Sequence, residues 1–478
     1  MVIGAGPAGL TAAYDLTRRG VPTVVFDGDT QVGGLAKTVV YKDYRFDIGG
    51  HRFFTKVAAV RELWHELLGD ELLQRPRLSR IYYRQRFYDY PLKASNVLAN
   101  LGFSTSAAVA LSYLRAQLSP QQPEASFEDW IVNRFGRRLY EMFFRSYTEK
   151  VWGIPCSEIG AQWAAQRIKG LSLWTAVVTM LRPAHNGIKT LIHEFEYPRF
   201  GPGMMWEVCR DRIVDAGGRI ELDSRVVELR HDGSAITHVT IESAGGRTIQ
   251  AASHVISTMP VKQLIHALKP EPPERARAST DRLKYRDFLT VALILDHADL
   301  FPDNWIYVHD PAVRVGRIQN FKNWSPDMVP DQSRTCLGLE YFCTEGDDLW
   351  TMDDGQLIAL AAREVESIGI SRGARVVDAT VARVQRAYPV YDETYECALA
   401  DARSVTDPIG NLQLVGRNGM HKYNNQDHSM LTARLAVRNY FGERHDLWAV
   451  NADEAYHEEQ DLKSLAAAQP LVPRRIAH

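Results

Sequence analysis

Three stretches of this sequence concentrate side chains able to do chemistry on a bound molecule. The first is Asp47-Ile-Gly49-Gly50-His51-Arg-Phe-Phe54. Two adjacent glycines let a backbone pass close to a planar ring system, and His51 could donate a hydrogen bond to a ring nitrogen. A histidine in a glycine-rich loop is also a common core feature. The second is Arg145-Ser-Tyr147-Thr-Glu-Lys150-Val-Trp152-Gly, with Arg167 fifteen residues beyond Trp152. Its plain alternative is an amphipathic helix with Trp152 in the core. The third is Gly416-Arg417-Asn-Gly419-Met-His421-Lys422-Tyr423-Asn-Asn425-Gln426-Asp427-His428-Ser429. So many hydrogen-bonding groups ahead of a helix start are unusual for a simple polar turn.

The elements that must position these groups begin at residue 2. A short apolar strand runs into Gly4-Ala-Gly6-Pro-Ala-Gly9 and then a helical pattern. That order of strand, turn and helix is the setting a dinucleotide fingerprint needs. Gly4 permits the tight turn, Gly6 lets backbone approach a pyrophosphate, and Gly9 lets the helix pack on the strand. The helix start presents free N–H groups to the phosphates. A second strand, Pro22–Phe26, ends at Asp27, where a ribose-binding carboxylate is expected, and Gly33-Gly34 comes next. Together these residues predict the first half of an FAD site. Val226, on the strand expected over Arg225–Arg230, is assigned to the same cofactor.

The predicted fold is α/β: a Rossmann-like FAD-binding domain assembled from discontinuous segments, with a helical domain and a mixed or antiparallel β-sheet substrate domain. Residues 1–91, 191–264 and 401–450 are expected to form the FAD-binding domain, 92–190 the helical domain, 265–400 the sheet domain and 451–478 a tail. Ser126-Phe-Glu-Asp129 looks like a capping box opening one long amphipathic helix through Trp130, Phe135, Leu139, Phe143 and Phe144. No metal site is expected. The 478 residues carry 45% apolar and 24% charged side chains with a net charge of −2, an ordinary globular composition that gives no reason to expect nucleic acid as a partner. Five scattered cysteines without a Cys-x-x-Cys fit a reducing cytoplasm. No leader precedes the first strand and no apolar run approaches the roughly 20 residues of a membrane span, so neither secretion nor a membrane is expected. The abrupt start at Met1 predicts a trimmed or misassigned N-terminus.

The same clusters resemble the flavin-dependent UDP-galactopyranose mutases, in particular the longer eukaryotic type. Gly49-Gly50-His51 with Phe54 resembles their flavin-facing loop; Tyr147 and Lys150-Val-Trp152, with Arg167, resemble their helical substrate segment. Gly416-Arg417-x-Gly419, Lys422-Tyr423 and Asn425-Gln426-Asp427-His428-Ser429 resemble their C-terminal flavin and substrate segment. Tyr307, Arg317 and Tyr388-Pro389 match further diphosphate-site positions, and the likeness runs from Met1 to about Tyr440. The resemblance implies an FAD enzyme, active with the flavin reduced, that interconverts pyranose and furanose forms of a nucleotide sugar through a flavin N5–sugar adduct. It implies NAD(P)H as reductant and a nucleoside-diphosphate sugar as partner, with a homo-oligomer as an option. By the same resemblance His51, Arg317 and Arg417 are catalytic; Phe54, Tyr147, Trp152, Arg167, Tyr307, Tyr388 and Tyr423 bind substrate. Gly416, Asn425, Gln426 and Asp427 would join Gly49 and Gly50 at the flavin.

The departures lie at the base-reading positions. The family's phenylalanine–glutamine pair after tyrosine–proline is replaced by Leu92-Lys93, and its asparagine positions by Thr148 and, in a loose alignment, Ile192. The nucleobase and sugar therefore stay open. Two other classes share parts of the pattern. A flavin oxidoreductase of the amine-oxidase or protoporphyrinogen-oxidase type shares Gly4–Gly9 and Gly33-Gly34 but favours apolar or amine substrates. A flavin-bound nucleotide-sugar binding protein with lapsed chemistry would bind without turnover.

Overall fold

The computed structural model describes residues 1–90, 94–161, 190–191, 194–451 and 459–460. Its first sheet has five parallel strands in the order Arg219–Glu221, Val24–Phe26, Val2–Ile3, Val255–Ser257 and Leu412–Leu414. The three central strands are two or three residues long and apolar, as expected where both sheet faces are covered. Helices Pro7–Thr17, Pro202–Asp215 and Gln426–Tyr440 supply one core, through Leu10, Trp206 and Leu435. A second core under Val226, Leu229, Leu264 and Ile265 lies against the other face. The chain leaves this sheet and returns to it from residues far apart, which is the discontinuous Rossmann-like arrangement read from the sequence.

A seven-stranded sheet stands beside it, in the order Val376–Pro389, Tyr285–Leu295, Thr335–Cys343, Arg317–Asn320, Trp305–Val308, Ser79–Tyr83 and Arg86–Asp89. All its pairings are antiparallel except that of Trp305–Val308 with Ser79–Tyr83. The hairpin of residues 79–89 thus belongs to the seven-stranded sheet, although it lies within the segment 1–91 that carries the dinucleotide fingerprint. Three registers in this sheet bring polar side chains side by side: Tyr307 pairs with Arg317, Arg317 with Glu340, and Arg286 with Tyr388.

The helical region departs from the expected single long helix. Ser126 and Asp129 do form a reciprocal capping box, but the helix Phe127–Phe135 stops at Gly136, which adopts φ +79. A Cβ there would lie 2.8 Å from the Tyr113 backbone nitrogen, so glycine both breaks the helix and permits close contact with the helix Ala94–Leu118. The chain resumes as Arg137–Leu139, passes through a π-helical turn at Tyr140–Arg145, and ends as the helix Ser146–Trp152. Isolated π-turns mark places where a helix is adjusted for function. This one directly precedes the helix bearing Tyr147 and Trp152.

Candidate active site

A cleft of about 700 Å³ opens between the two sheets, lined by residues from the glycine fingerprint and from the His51 and Arg417 clusters. Its walls include Gly6, Asp27, Gly34, Gly49, Gly50, His51, Phe54, Arg317, Tyr388, Gly416, Arg417, Tyr423, Asn425, Gln426 and Asp427. A second cavity of about 1200 Å³ is lined by Gly4, Asp27, Val226 and Trp152. Asp27, Asp29 and Thr258 border both.

The dinucleotide end is built on close backbone approach. Gly4 has φ +101, and a Cβ on Gly9 would collide with the Gly4 carbonyl, so the helix Pro7–Thr17 meets its strand without room for a side chain. Gly33, at φ +104, donates its N–H to the Ala5 carbonyl at 2.8 Å and so joins the two glycine turns. Gly9 and Gly33 therefore shape the cleft from behind without lining it. The Asp27 carboxylate accepts the N–H groups of Ala5 at 2.5 Å and Asp29 at 2.8 Å. It thus holds the first glycine turn as well as facing the cleft. Burial raises its pKa, against the pull of those backbone donors. The Asp29–Lys37 ion pair beside it, at 2.6 Å, was not legible in the sequence.

The ring end is polar and cationic. His51 Nδ1 lies 2.9 Å from the Gly49 carbonyl, which can only accept, so that nitrogen carries the proton. Burial, with Arg417 nearby, pulls the imidazole down to about 4. A neutral ring protonated at Nδ1 leaves Nε2 as an acceptor, the reverse of the donor role expected for His51. Gly49 itself has φ +112. Arg317 donates from Nη2 to the Tyr388 hydroxyl at 2.6 Å and forms an ion pair with the fully buried Glu340 at 2.6 Å. Burial alone would weaken its charge, but Glu340 outweighs that and holds the guanidinium protonated. Arg417 donates to the backbone carbonyls of Ala387 and Asn424, and its guanidinium carbon lies 4.6 Å from the Tyr423 ring centre. Tyr388 and Tyr423 stack at 5.7 Å, and burial pushes the Tyr388 hydroxyl up to about 12, so it stays a proton donor at neutral pH.

The remaining predicted residues stand behind this wall. Trp152 packs 6.3 Å from Tyr388 and 6.0 Å from Tyr423. Tyr147 meets Tyr307 edge-on at 5.6 Å and stacks on His309 at 4.5 Å; neither tyrosine lines the cleft. Arg167 lies outside the described residues, as do Leu92, Lys93 and Ile192. Glu340 is the functional candidate that sequence reasoning missed. Its signal was a lone carboxylate inside the apolar strand Thr335–Cys343.

The cleft fits a flavin dinucleotide on its own structural evidence. Among the described residues, the buried Gln426 Nε2 and Asn418 Oδ1 have no partner, and both residues line the cleft. Such groups are costly to bury unless a ligand satisfies them. The N-terminus of the fifteen-residue helix Gln426–Tyr440 is at the same wall. Residues 7–437 match the family model of flavin containing amine oxidoreductases. The chain belongs to that family.

Family membership makes the protein an enzyme of the flavin amine-oxidoreductase type and implies FAD as its cofactor. The chain is also similar to a protein of Klebsiella pneumoniae described as a probable UDP-galactopyranose mutase, at 27% identity over 170 residues. That match covers 34% of this chain and 42% of the relative, so the chain spans less than half the length of that curated relative. Among solved structures, a reduced UDP-galactopyranose mutase superimposes with a TM-score of 0.82, over 95% of this chain and 97% of that one, at 20% identity. A candidate protoporphyrinogen oxidase from Exiguobacterium sp. 255-15 gives a TM-score of 0.69 at 17% identity, covering 92% and 97%. At these identities the structural likeness establishes the fold.

Proposed function

We propose that this protein is a flavin-dependent nucleotide-sugar mutase that interconverts pyranose and furanose sugars while they are linked to a nucleoside diphosphate. The observation that carries this reading is the pairing of Arg317 and Arg417 with the Tyr388–Tyr423 stack, on the cleft wall that also holds His51. A simple amine or an apolar ring offers two guanidinium groups in one cleft no anion to bind. A departing diphosphate offers one, and charge-assisted hydrogen bonds strengthen as negative charge grows on the leaving oxygen. FAD, when bound and reduced, would supply the nucleophile.

The protein's own groups have separable tasks. Arg417, fixed by two backbone carbonyls, keeps further N–H donors for phosphate oxygens. Arg317, oriented by Glu340 and Tyr388, offers a second cation whose position is set before substrate arrives. The hydroxyls of Tyr388 and Tyr423 can add donors, and holding the diphosphate in place for its return is a proximity effect. His51 Nε2, an acceptor, suits an N–H group on the reduced ring. The reductant is proposed to be NAD(P)H, docking transiently in the same cleft.

The test is anaerobic. The purified holoenzyme is reduced with dithionite and incubated with nucleotide sugars varied in base and sugar, and the products are separated by chromatography. A new isomer formed only under reduction supports the mutase and names its substrate. Oxygen uptake from oxidised enzyme with amines or porphyrinogens, and no isomer, moves the protein to the oxidase reading.

A further inference from the structure

Lys150 belongs to the motif on the helix Ser146–Trp152, yet neither cavity is lined by it. Its ammonium is buried and donates to three backbone carbonyls: Val308 at 3.2 Å, Asp310 at 2.6 Å and Val315 at 3.3 Å. It forms no ion pair with a carboxylate among the described residues. Burial pulls it down to about 8, against the attraction of Glu364 and Asp310. Holding a cation there is costly, and apolar packing would be the cheaper way to join two elements.

The Asp310 and Val315 carbonyls lie on one connection, and that of Val308 ends the strand leading into it. The connection joins the strands Trp305–Val308 and Arg317–Asn320, in which Tyr307 faces Arg317 across the ladder. The opposite side of the same connection is held by an anion. The buried Glu364, on the helix Asp354–Ile368, accepts the N–H groups of Arg314 at 2.5 Å and Val315 at 3.0 Å, and the Tyr341 hydroxyl at 3.0 Å. A buried ammonium thus takes the carbonyls of this turn and a buried carboxylate takes its amides. The end of the helix bearing Lys150 is fixed in turn by Arg286, which donates to the carbonyls of Lys150 and Val151.

We propose that Lys150 and Glu364 are positioning residues that clamp the 308–316 turn and thereby fix Arg317 and Tyr307 relative to Tyr147 and Trp152. The clamp rests on the proposed diphosphate role of Arg317 only for its consequence, not for its geometry. Side chains held to a few tenths of an ångström by surrounding polar contacts are what a preorganised anion site requires. Neither residue touches the cleft, so both act through Arg317.

The test compares Lys150→Met, Glu364→Gln and Arg317→Lys with the double variant Lys150→Met/Arg317→Lys, all as FAD-loaded protein with unchanged flavin content. Glu364→Gln probes the same turn from another element should Lys150→Met fail to fold. Binding of UDP and of inorganic pyrophosphate is read by quenching of flavin fluorescence. Lys150→Met is expected to weaken both at least tenfold, and the double variant to bind no worse than Arg317→Lys alone. Additive losses would overturn the clamp, because they would mean that Lys150 does not act through Arg317. Amide exchange is measured in parallel and needs no ligand. Faster exchange confined to residues 308–317 and 146–152 is expected in Lys150→Met, and wild-type exchange there overturns the proposal. A wild-type protein that binds neither UDP nor pyrophosphate would instead count against the nucleotide-sugar reading, leaving exchange to judge the clamp.

Discussion

Arg317 and Arg417 face the same cleft through different supports, and that difference separates their variants. Arg417 is tied to main-chain carbonyls, whereas Arg317 is tied to the buried carboxylate of Glu340. Arg417→Ala and Arg317→Ala should each lower isomerisation by a factor on the order of 10²–10³, since each removes a charged donor from a developing anion. FAD should stay bound, as neither residue shapes the dinucleotide turns. A matching loss of flavin absorbance in both variants would instead make these arginines structural. His51→Ala should slow turnover on the order of a hundredfold with cofactor retained. Wild-type rates in that variant would remove the acceptor role given to Nε2. His51 and Arg417 stood out in the sequence beside glycines that let a backbone pass close to a ring, whereas Arg317 and Tyr388 were singled out only through the family resemblance. The protonation of His51 was not legible there, since it depends on a carbonyl only two residues back turning toward Nδ1 at 2.9 Å. Glu340 was missed for a related reason. Its meaning lies in the cross-strand register that puts it opposite Arg317.

Elements obey the sequence where a local rule decides them and depart where a distant contact does. The capping box at Ser126 and the fingerprint helix Pro7–Thr17 are local, and both form as read. The break at Gly136 answers to the backbone of Tyr113, which no window of sequence around residue 136 contains. The hairpin 79–89 joins the seven-stranded sheet through a parallel pairing with the distant strand Trp305–Val308. Close approach also yields the sharpest prediction at this scale. In Gly9→Ala the new methyl would strike the Gly4 carbonyl, forcing the helix off its strand and opening the turn that holds the pyrophosphate. The variant should purify largely free of flavin, read as the ratio of absorbance at the flavin band to that of protein. Gly20→Ala is its control. Gly20 also has positive φ, at +74, but nothing lies within 4 Å of its would-be Cβ, so that variant should lose some stability and keep its flavin. Equal flavin content in Gly9→Ala and the parent would show that the cofactor does not depend on this packing.

Across the whole molecule, the discontinuous sheet and the long-range pairings that build the cleft also bury ionisable groups. His51, His254, His309 and His421 are held neutral, pulled down to about 4, 4, 3 and 4 chiefly by burial. Each lowered base binds a proton in the unfolded chain but not in the native one between its native pKa and about 6.5. Asp47 works the other way. Burial raises its carboxyl to about 7, despite hydrogen bonds from Tyr197 and Thr38, so between about pH 4 and 7 the native state holds one proton that the unfolded chain has released. Near pH 5 the four histidines therefore outnumber Asp47, and the buried carboxyls of Asp15 and Asp27, also raised, offset part of their effect. The histidine contribution should be fully present above about pH 6.5 and be lost as the pH falls through 5, so stability should drop on acidification. Thermal unfolding at pH 7.5, 6.5, 5.5 and 4.5 at fixed ionic strength would show a midpoint that falls steeply below 6.5. The variant His309→Gln removes one of those four lowered bases. Its absolute stability will suffer from the loss of stacking on Tyr147, but its dependence on pH should be less steep than the parent's. A midpoint independent of pH between 5.5 and 4.5 in the parent, or an unchanged slope in the variant, would mean that these imidazoles take up protons without unfolding.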